Sequence, residues 1–318
     1  MVDAGLRLVP DPIVRLYGAA KETAERRDVR QVALVLALLL AAAAFAYLMV
    51  NVYLGDSYGY WQSIRLDHLY YTADPDTAPH GYLYAPVFVQ ILWPLIMLPW
   101  EVFHAIWLAA LVALLFWMSG RWVALLIFAL FFAPFAIGFL AAPRHYLSSG
   151  NIFLPMALAV VAGFRWPWTY SFLLLTKVTP GIGLLWFVAR REWRNLFIAL
   201  GATAAVVLVS FAFSWSLWFD WFTVLRNNVG NPEPTFAIQL IPLMPRLVLA
   251  AAMTIVAARY DARWVVPIAA MIALPYITDT ALIMVVGVVP LLRHDAWTEG
   301  RTSGSDAAAQ AAPALPEA

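Results

Sequence analysis

From Val32 to Val50 the chain runs through 19 residues without a charge. At 1.5 Å per residue a helix of that length spans the ~30 Å hydrocarbon core of a bilayer. Inside lipid every backbone N–H and C=O must find its partner within the protein, so only helices and closed barrels remain, and an apolar run without alternation is helical. Further apolar segments follow at residues 85–100, 102–120, 122–142, 150–164, 167–188, 195–213, 237–258, 264–275 and 279–292. The pattern predicts an all-α, polytopic transmembrane protein with about ten membrane segments and a long first outer loop. Several segments fall short of the ~20 residues a perpendicular helix needs, so some are tilted, broken or re-entrant. Composition agrees: 63% of the 318 residues are hydrophobic and 12% charged, against about 25% charged in soluble domains.

Residues 1–30 form a polar cytoplasmic segment, 31–292 the membrane domain, and 293–318 a disordered tail of alanine, proline, glycine and polar residues. Arg7, Arg15, Lys21, Arg26, Arg27 and Arg30 precede the first span and put the N-terminus in the cytoplasm of a multi-pass cell-membrane protein. Arg190, Arg191 and Arg194 mark one cytoplasmic turn, and Arg259 with Arg263 another, so loops 53–84 and 214–236 face outward. The stretch from Trp264 to Arg293 is too long for one straight helix; it reads as two short helices meeting at PYITD near the outer side. Arg121, Arg144 and Arg165 cannot all be cytoplasmic under a simple alternating count, which leaves the side of loop 143–150 open.

Cysteine is absent, which excludes disulfides and thiolate chemistry. His68, His80, His104, His145 and His294 share no metal-ligand spacing and there is no HExxH; one Asp-x-Asp pair, Asp74 and Asp76, lies in the first loop, and from the histidine pattern neither a metal nor another cofactor is expected. A net charge of +1 gives no basic field for nucleic acid.

The first loop is the leading candidate site, because seven of the thirteen tyrosines lie between Tyr53 and Tyr84. Asp56, just beyond the first span, suits a general base at the membrane surface, or equally an interfacial cap. Tyr58, Tyr60, Trp61, Tyr82 and Tyr84 can stack on sugars or form an aromatic belt, and His80 can hydrogen-bond a hydroxyl or be solvated. Lys177 lies near the middle of segment 167–188, too deep to snorkel; followed by Pro180, Gly181 and Gly183, it marks a broken helix whose ammonium suits a lipid phosphate. Arg144 can grip a phosphate bidentately or mark a cytoplasmic loop, and His145 stands beside it. Asn151 reads first as a helix start and second as a sugar ligand. Asn231, with Asn227, Asn228 and Glu233, supplies amides and a carboxylate for hydroxyls or simply builds a turn. Asp279 is either a functional membrane carboxylate or a cap at Thr280.

In order and spacing these pieces resemble the GT-C class of glycosyltransferases, specifically glycosyltransferase family 87, over roughly residues 50–292. The marks are Asp56 followed by tyrosines and LYY, then YLYAPVFVQILWPLIMLPW, SSGNIFLPMAL, LLLTKVTPGIGLLWFVARREWR, GNPEPT and PYITDTALI. Departures are Ala85 in place of the first proline of a Tyr-Pro-Pro segment and a glutamine absent from a Gly-Gln-x-Asn element. The resemblance implies a GT-C-like fold with an outward cavity, in which a sugar, mannose in actinobacterial members, leaves a polyprenyl phosphate for a lipid or glycan acceptor. It carries the role of base onto Asp56. Lys177 for the donor phosphate is our assignment, with Arg144 and His145 as further phosphate candidates. The competing expectation is a transporter or flippase of a lipid-linked sugar, which also needs charged residues within spans.

Overall fold

The computed structural model describes residues 11–51, 55–65, 69–70, 82, 84–133, 138–228 and 241–293, and every element among them is helical. The elements are α1 (Asp11–Glu25), α2 (Arg27–Val50), α3 (Asp56–Gln62), α4 (Pro86–Ile96), α5 (Trp100–Phe132), α6 (Ala142–Ser149), α7 (Phe153–Gly163), α8 (Tyr170–Thr176), α9 (Leu185–Ala189), α10 (Trp193–Phe213), α11 (Trp215–Asn228), α12 (Leu243–Arg259) and α13 (Val265–Ile272). Four 3₁₀ stretches, Gly138–Ala141, Pro167–Thr169, Thr179–Leu184 and Asp279–Gly287, join them among the described residues.

Among the described residues three helices are long and apolar enough to cross a membrane alone: α2, α5 and α10. The segments expected from the sequence, about ten and several of them short or broken, are not confirmed as spans. Much of the bundle consists of shorter helices that fold back on one another, and three of these folds decide where the polar groups go.

The first is α5, whose 33 residues are interrupted at Gly120, with φ 67° and ψ 176°. That left-handed φ is strained for any residue with a Cβ. Both ends of α5 pack near the C-terminal end of α2 and the short α3: Trp100 stacks on Tyr58 at 5.1 Å, and Phe131 meets Tyr47 at 5.9 Å. Gly120 instead lies level with Leu34 and Leu38, toward the start of α2. The helix therefore folds into two limbs, 100–119 and 121–132. The first lies along the small-residue stripe Ala33, Ala37, Ala41 and Ala44 of α2, which lets backbones approach closely.

The second fold shows the break expected at Lys177. Segment 167–188 is not one span with Lys177 halfway along it. Helix α8 stops at Thr176, Lys177 is extended at φ −139° and ψ 104°, and the chain returns through Thr179–Leu184 and α9. Tyr170 stacks on Phe187 at 5.7 Å, and the Leu174 side chain occupies the space a Cβ on Gly181 would need. These pairs are symmetric about positions 177 and 178, so Lys177 rides the apex of a hairpin. Arg165 and Arg190 consequently sit at the same end of the bundle, joined there by Arg263 over Phe164 and by Arg190 with Asp261.

The third is α4, which was expected to cross. Its start is tied to the apex region by Ala85 N–H donating to the Leu175 carbonyl (3.2 Å), and its end to α3 by Trp61 Nε1–H donating to the Leu98 carbonyl (2.8 Å). Since α5 then begins beside α3, α4 stays at the Asp56 end.

The molecule thus has an Asp56 end and an arginine end, the latter carrying Arg121, Arg165, Arg190, Arg259, Arg263 and Arg293. Arg144 and loop 143–150, left open by the sequence, belong to the Asp56 end. The two short helices expected around PYITD are present, as α13 and Asp279–Gly287, and their junction also lies at the Asp56 end, where Asp279 meets His145. Arg246, 4% exposed, donates there to the carbonyls of Ile272, Leu274 and Pro275. It closes the C-terminus of α13, whose last carbonyls have no helical partner.

Candidate active site

Asp56 opens α3, and the way it is held follows from two glycines. A Cβ on Gly55 would lie 2.6 Å from Ser149 Cα, and one on Gly150 (φ +65°) would lie 2.6 Å from Ser57 Oγ. The start of α3 and the turn between α6 and α7 therefore touch backbone to backbone, which only glycine permits. Trp107 on α5 fixes the same turn by donating its indole N–H to the Gly150 carbonyl at 2.8 Å. Tyr146 donates its hydroxyl to the Asn151 carbonyl at 2.9 Å and accepts the Leu154 N–H at 3.2 Å.

The result is that Asn151 Nδ2 donates to Asp56 Oδ2 at 2.7 Å. An ionised carboxylate only accepts, so the NH₂ of the amide must face Asp56 and Asn151 Oδ1 must face away. That oxygen is buried without a hydrogen-bond partner among the described residues, as is Ser57 Oγ. No described donor reaches Asp56 Oδ1. Asp56 Oδ1 is thus the unengaged carboxylate oxygen of the site, while the Asn151 amide oxygen and the Ser57 hydroxyl are enclosed within the same turn.

Lys177 completes the arrangement. Its Nζ lies 4.3 Å from the ring centroid of Phe153, two residues beyond Asn151, and its charge interacts with that of Asp56. The hairpin apex and the α3 start converge on the beginning of α7, so the two groups share one end of the molecule.

The other candidates divide by helix face. Tyr60 follows Asp56 by one turn of α3, its hydroxyl lies 3.3 Å from that of Tyr84, and both phenols interact electrostatically with Asp56. Tyr58 and Trp61 project from the other side of α3 onto Trp100. Tyr82 spends its hydroxyl on the Ala85 carbonyl and the Val89 N–H, shaping the entry to α4. Arg144 donates to the carbonyls of Phe131 and Ala133 at 2.8 and 3.3 Å, capping α5 as Arg246 caps α13. His145 is paired with Asp279, whose Oδ1 also accepts the Thr280 N–H. His80 and Asn231 lie outside the described residues, as do the disordered tail expected from Trp297 and parts of the two outer loops; residues 214–228 of the loop expected at 214–236 are described and carry helix α11. Among the described residues no group of three or more potential ligands could hold a metal.

Sequence reasoning missed Ser57, Trp107, Tyr146, Phe153 and Arg246. Trp107 and Gly150 are 43 residues apart, and nothing in the sequence links them. Arg246 carried a signal, being a lone arginine inside an apolar segment.

A test of the glycine contact follows. Gly55→Ala should destabilise the protein by about 1–3 kcal/mol, the usual cost of overpacking, and lower its melting temperature in detergent. Gly201→Ala, where no atom lies within 4 Å of the added Cβ, should leave it unchanged or slightly raised. Equal melting of the two variants would refute the backbone contact.

Residues 82–302 match the model of glycosyltransferase family 87. No curated protein and no solved structure matches the chain significantly. Asn151, Lys177, Arg144, His145 and Asp279 fall inside the matched stretch, and Asp56 precedes it.

Proposed function

The chain belongs to glycosyltransferase family 87 and is a membrane glycosyltransferase; from that premise we propose that it transfers a sugar from a polyprenyl-phosphate donor to a hydroxyl of a lipid or glycan acceptor at the outer face of the cell membrane. Asp56 Oδ1 takes the acceptor's proton as that oxygen attacks the anomeric carbon. The bond from the anomeric carbon to the phosphate oxygen breaks, the pair of electrons leaves with the polyprenyl phosphate, and the Lys177 ammonium offsets the developing charge. Attack opposite the leaving group inverts the anomeric centre. The proton resides on Asp56 until solvent removes it.

What carries this reading is the convergence of a carboxylate and an ammonium on two residues of one helix start, Asn151 and Phe153. Tyr60 and Tyr84 stand beside Asp56 for the sugar, and Asn151 orients the base through its amide. Arg144 and Asp279 hold the helices around the site, and His145 stands at its rim. A lipid-linked substrate is supported by an apolar groove of about 1000 Å³ between α4 and α10, lined by Val87, Val89, Ile91, Val206, Val209 and Phe213. The outward orientation is supported by the arginines gathered at the opposite end. Mannose is the proposed sugar because the motif order resembles family members that include actinobacterial mannosyltransferases.

The test is donor choice. Membranes containing the protein should move radiolabelled mannose from polyprenyl-phosphate mannose to endogenous lipid and should not use a nucleotide-linked mannose directly. Transfer from the nucleotide sugar under conditions that block synthesis of the lipid-linked donor would overturn the proposal.

A further inference from the structure

On the lipid-facing side of the bundle, α2 and the first limb of α5 leave a groove of about 790 Å³ between them. Its walls are apolar, with Leu34, Leu38 and Phe45 on one side and Val112, Phe116 and Trp117 on the other. At the Gly120 break the character changes. Arg121 lines the end of the groove, and the Arg293 guanidinium fills the space a Cβ on Gly120 would need, donating Nη2–H to the Ser119 carbonyl at 2.6 Å. Arg30 is exposed one turn before Leu34 on the same face of α2.

Among the described residues no carboxylate lies within ion-pairing distance of Arg121, Arg293 or Arg30. Uncompensated guanidiniums at the boundary of a low-dielectric slot attract an anion, and a slot lined by aliphatic and aromatic side chains takes a hydrocarbon chain. We propose that this groove binds an anionic phospholipid of the leaflet at the arginine end, with an acyl chain between α2 and α5 and the phosphate between Arg121 and Arg293. The planar guanidinium suits phosphate oxygens. A zwitterionic lipid would bring its own cation against the same arginines, so the site discriminates by headgroup. It lies at the opposite end from Asp56 and does not depend on the proposed reaction.

Native mass spectrometry of the full chain, titrated with phosphatidylglycerol or phosphatidylcholine of identical acyl chains, tests this. The wild type should retain one phosphatidylglycerol about tenfold more strongly than phosphatidylcholine. Arg121→Gln and Arg293→Gln should each cost about fivefold in phosphatidylglycerol binding, the factor that about 1 kcal/mol per basic residue at an anionic leaflet corresponds to. Arg121→Gln disturbs no hydrogen bond to the described protein, so its effect separates lipid loss from misfolding. Ala113→Trp, which plugs the groove, should abolish retention of that lipid while the protein stays monodisperse. Equal retention of the two lipids by the wild type, unaltered binding in Arg121→Gln, or displacement by millimolar inorganic phosphate would each overturn the proposal.

Discussion

Asp56→Asn is expected to lower sugar transfer by roughly 10²–10⁴-fold, the contribution of a positioned general base, while the protein stays folded. Asparagine has the shape of aspartate, and its amide can turn its oxygen toward Asn151 Nδ2, so the 2.7 Å contact that orients residue 56 survives. Only the ability to accept a proton at the free oxygen is lost. Single-turnover transfer with saturating donor isolates the chemical step, and melting in detergent checks the fold. Wild-type turnover by Asp56→Asn would place the base elsewhere.

Lys177→Met should reduce kcat/KM for the donor by about 10²–10³-fold, the cost of removing one group that stabilises charge developing in the transition state. Methionine keeps an unbranched chain that can still cover the Phe153 ring, so the loss is of charge and not of packing. The effect should fall on the donor and leave the KM for acceptor nearly unchanged. Product inhibition by polyprenyl phosphate should weaken in parallel, since the same ammonium would hold the released headgroup. If inhibition is as strong in Lys177→Met as in the wild type, the cation that binds phosphate is another residue.

These two side chains could be picked out of the sequence because each breaks a rule of its surroundings: a carboxylate at the mouth of an apolar run, and an ammonium too deep in another to reach water. What the sequence could not supply was the path between them. Hydropathy scores length and apolarity but not direction, so it cannot tell a helix that crosses from a hairpin that returns, and residues 167–188 look the same either way. The difficulty with Arg121, Arg144 and Arg165 came from that ambiguity. Once Lys177 marks a reversal, Arg165 joins Arg190 at one end, and Arg144 is left as an arginine that caps a helix and does not mark a side. The contact of Asn151 with Asp56 escapes the sequence for a related reason: it joins residues 95 positions apart, made possible by Gly55 and Gly150, and short-range patterns do not report such contacts. Tyrosine and tryptophan serve both packing and recognition, so the sequence does not divide the rings of the first loop; the face of α3 they occupy separates Tyr60, beside Asp56, from Tyr58, which packs on Trp100.

Because the chain turns back at Lys177, the charged pocket has a floor. Beneath the apex the hairpin is sealed by Tyr170, Leu173, Trp186 and Phe187, each at most 2% exposed. In the proposed reaction a proton taken up by Asp56 would meet only one polar group buried without a partner among these four side chains, the Tyr170 hydroxyl, and no chain of such groups leading down, so it would go back the way it came. Under that proposal the enzyme would exchange protons at one surface without short-circuiting a gradient across its membrane.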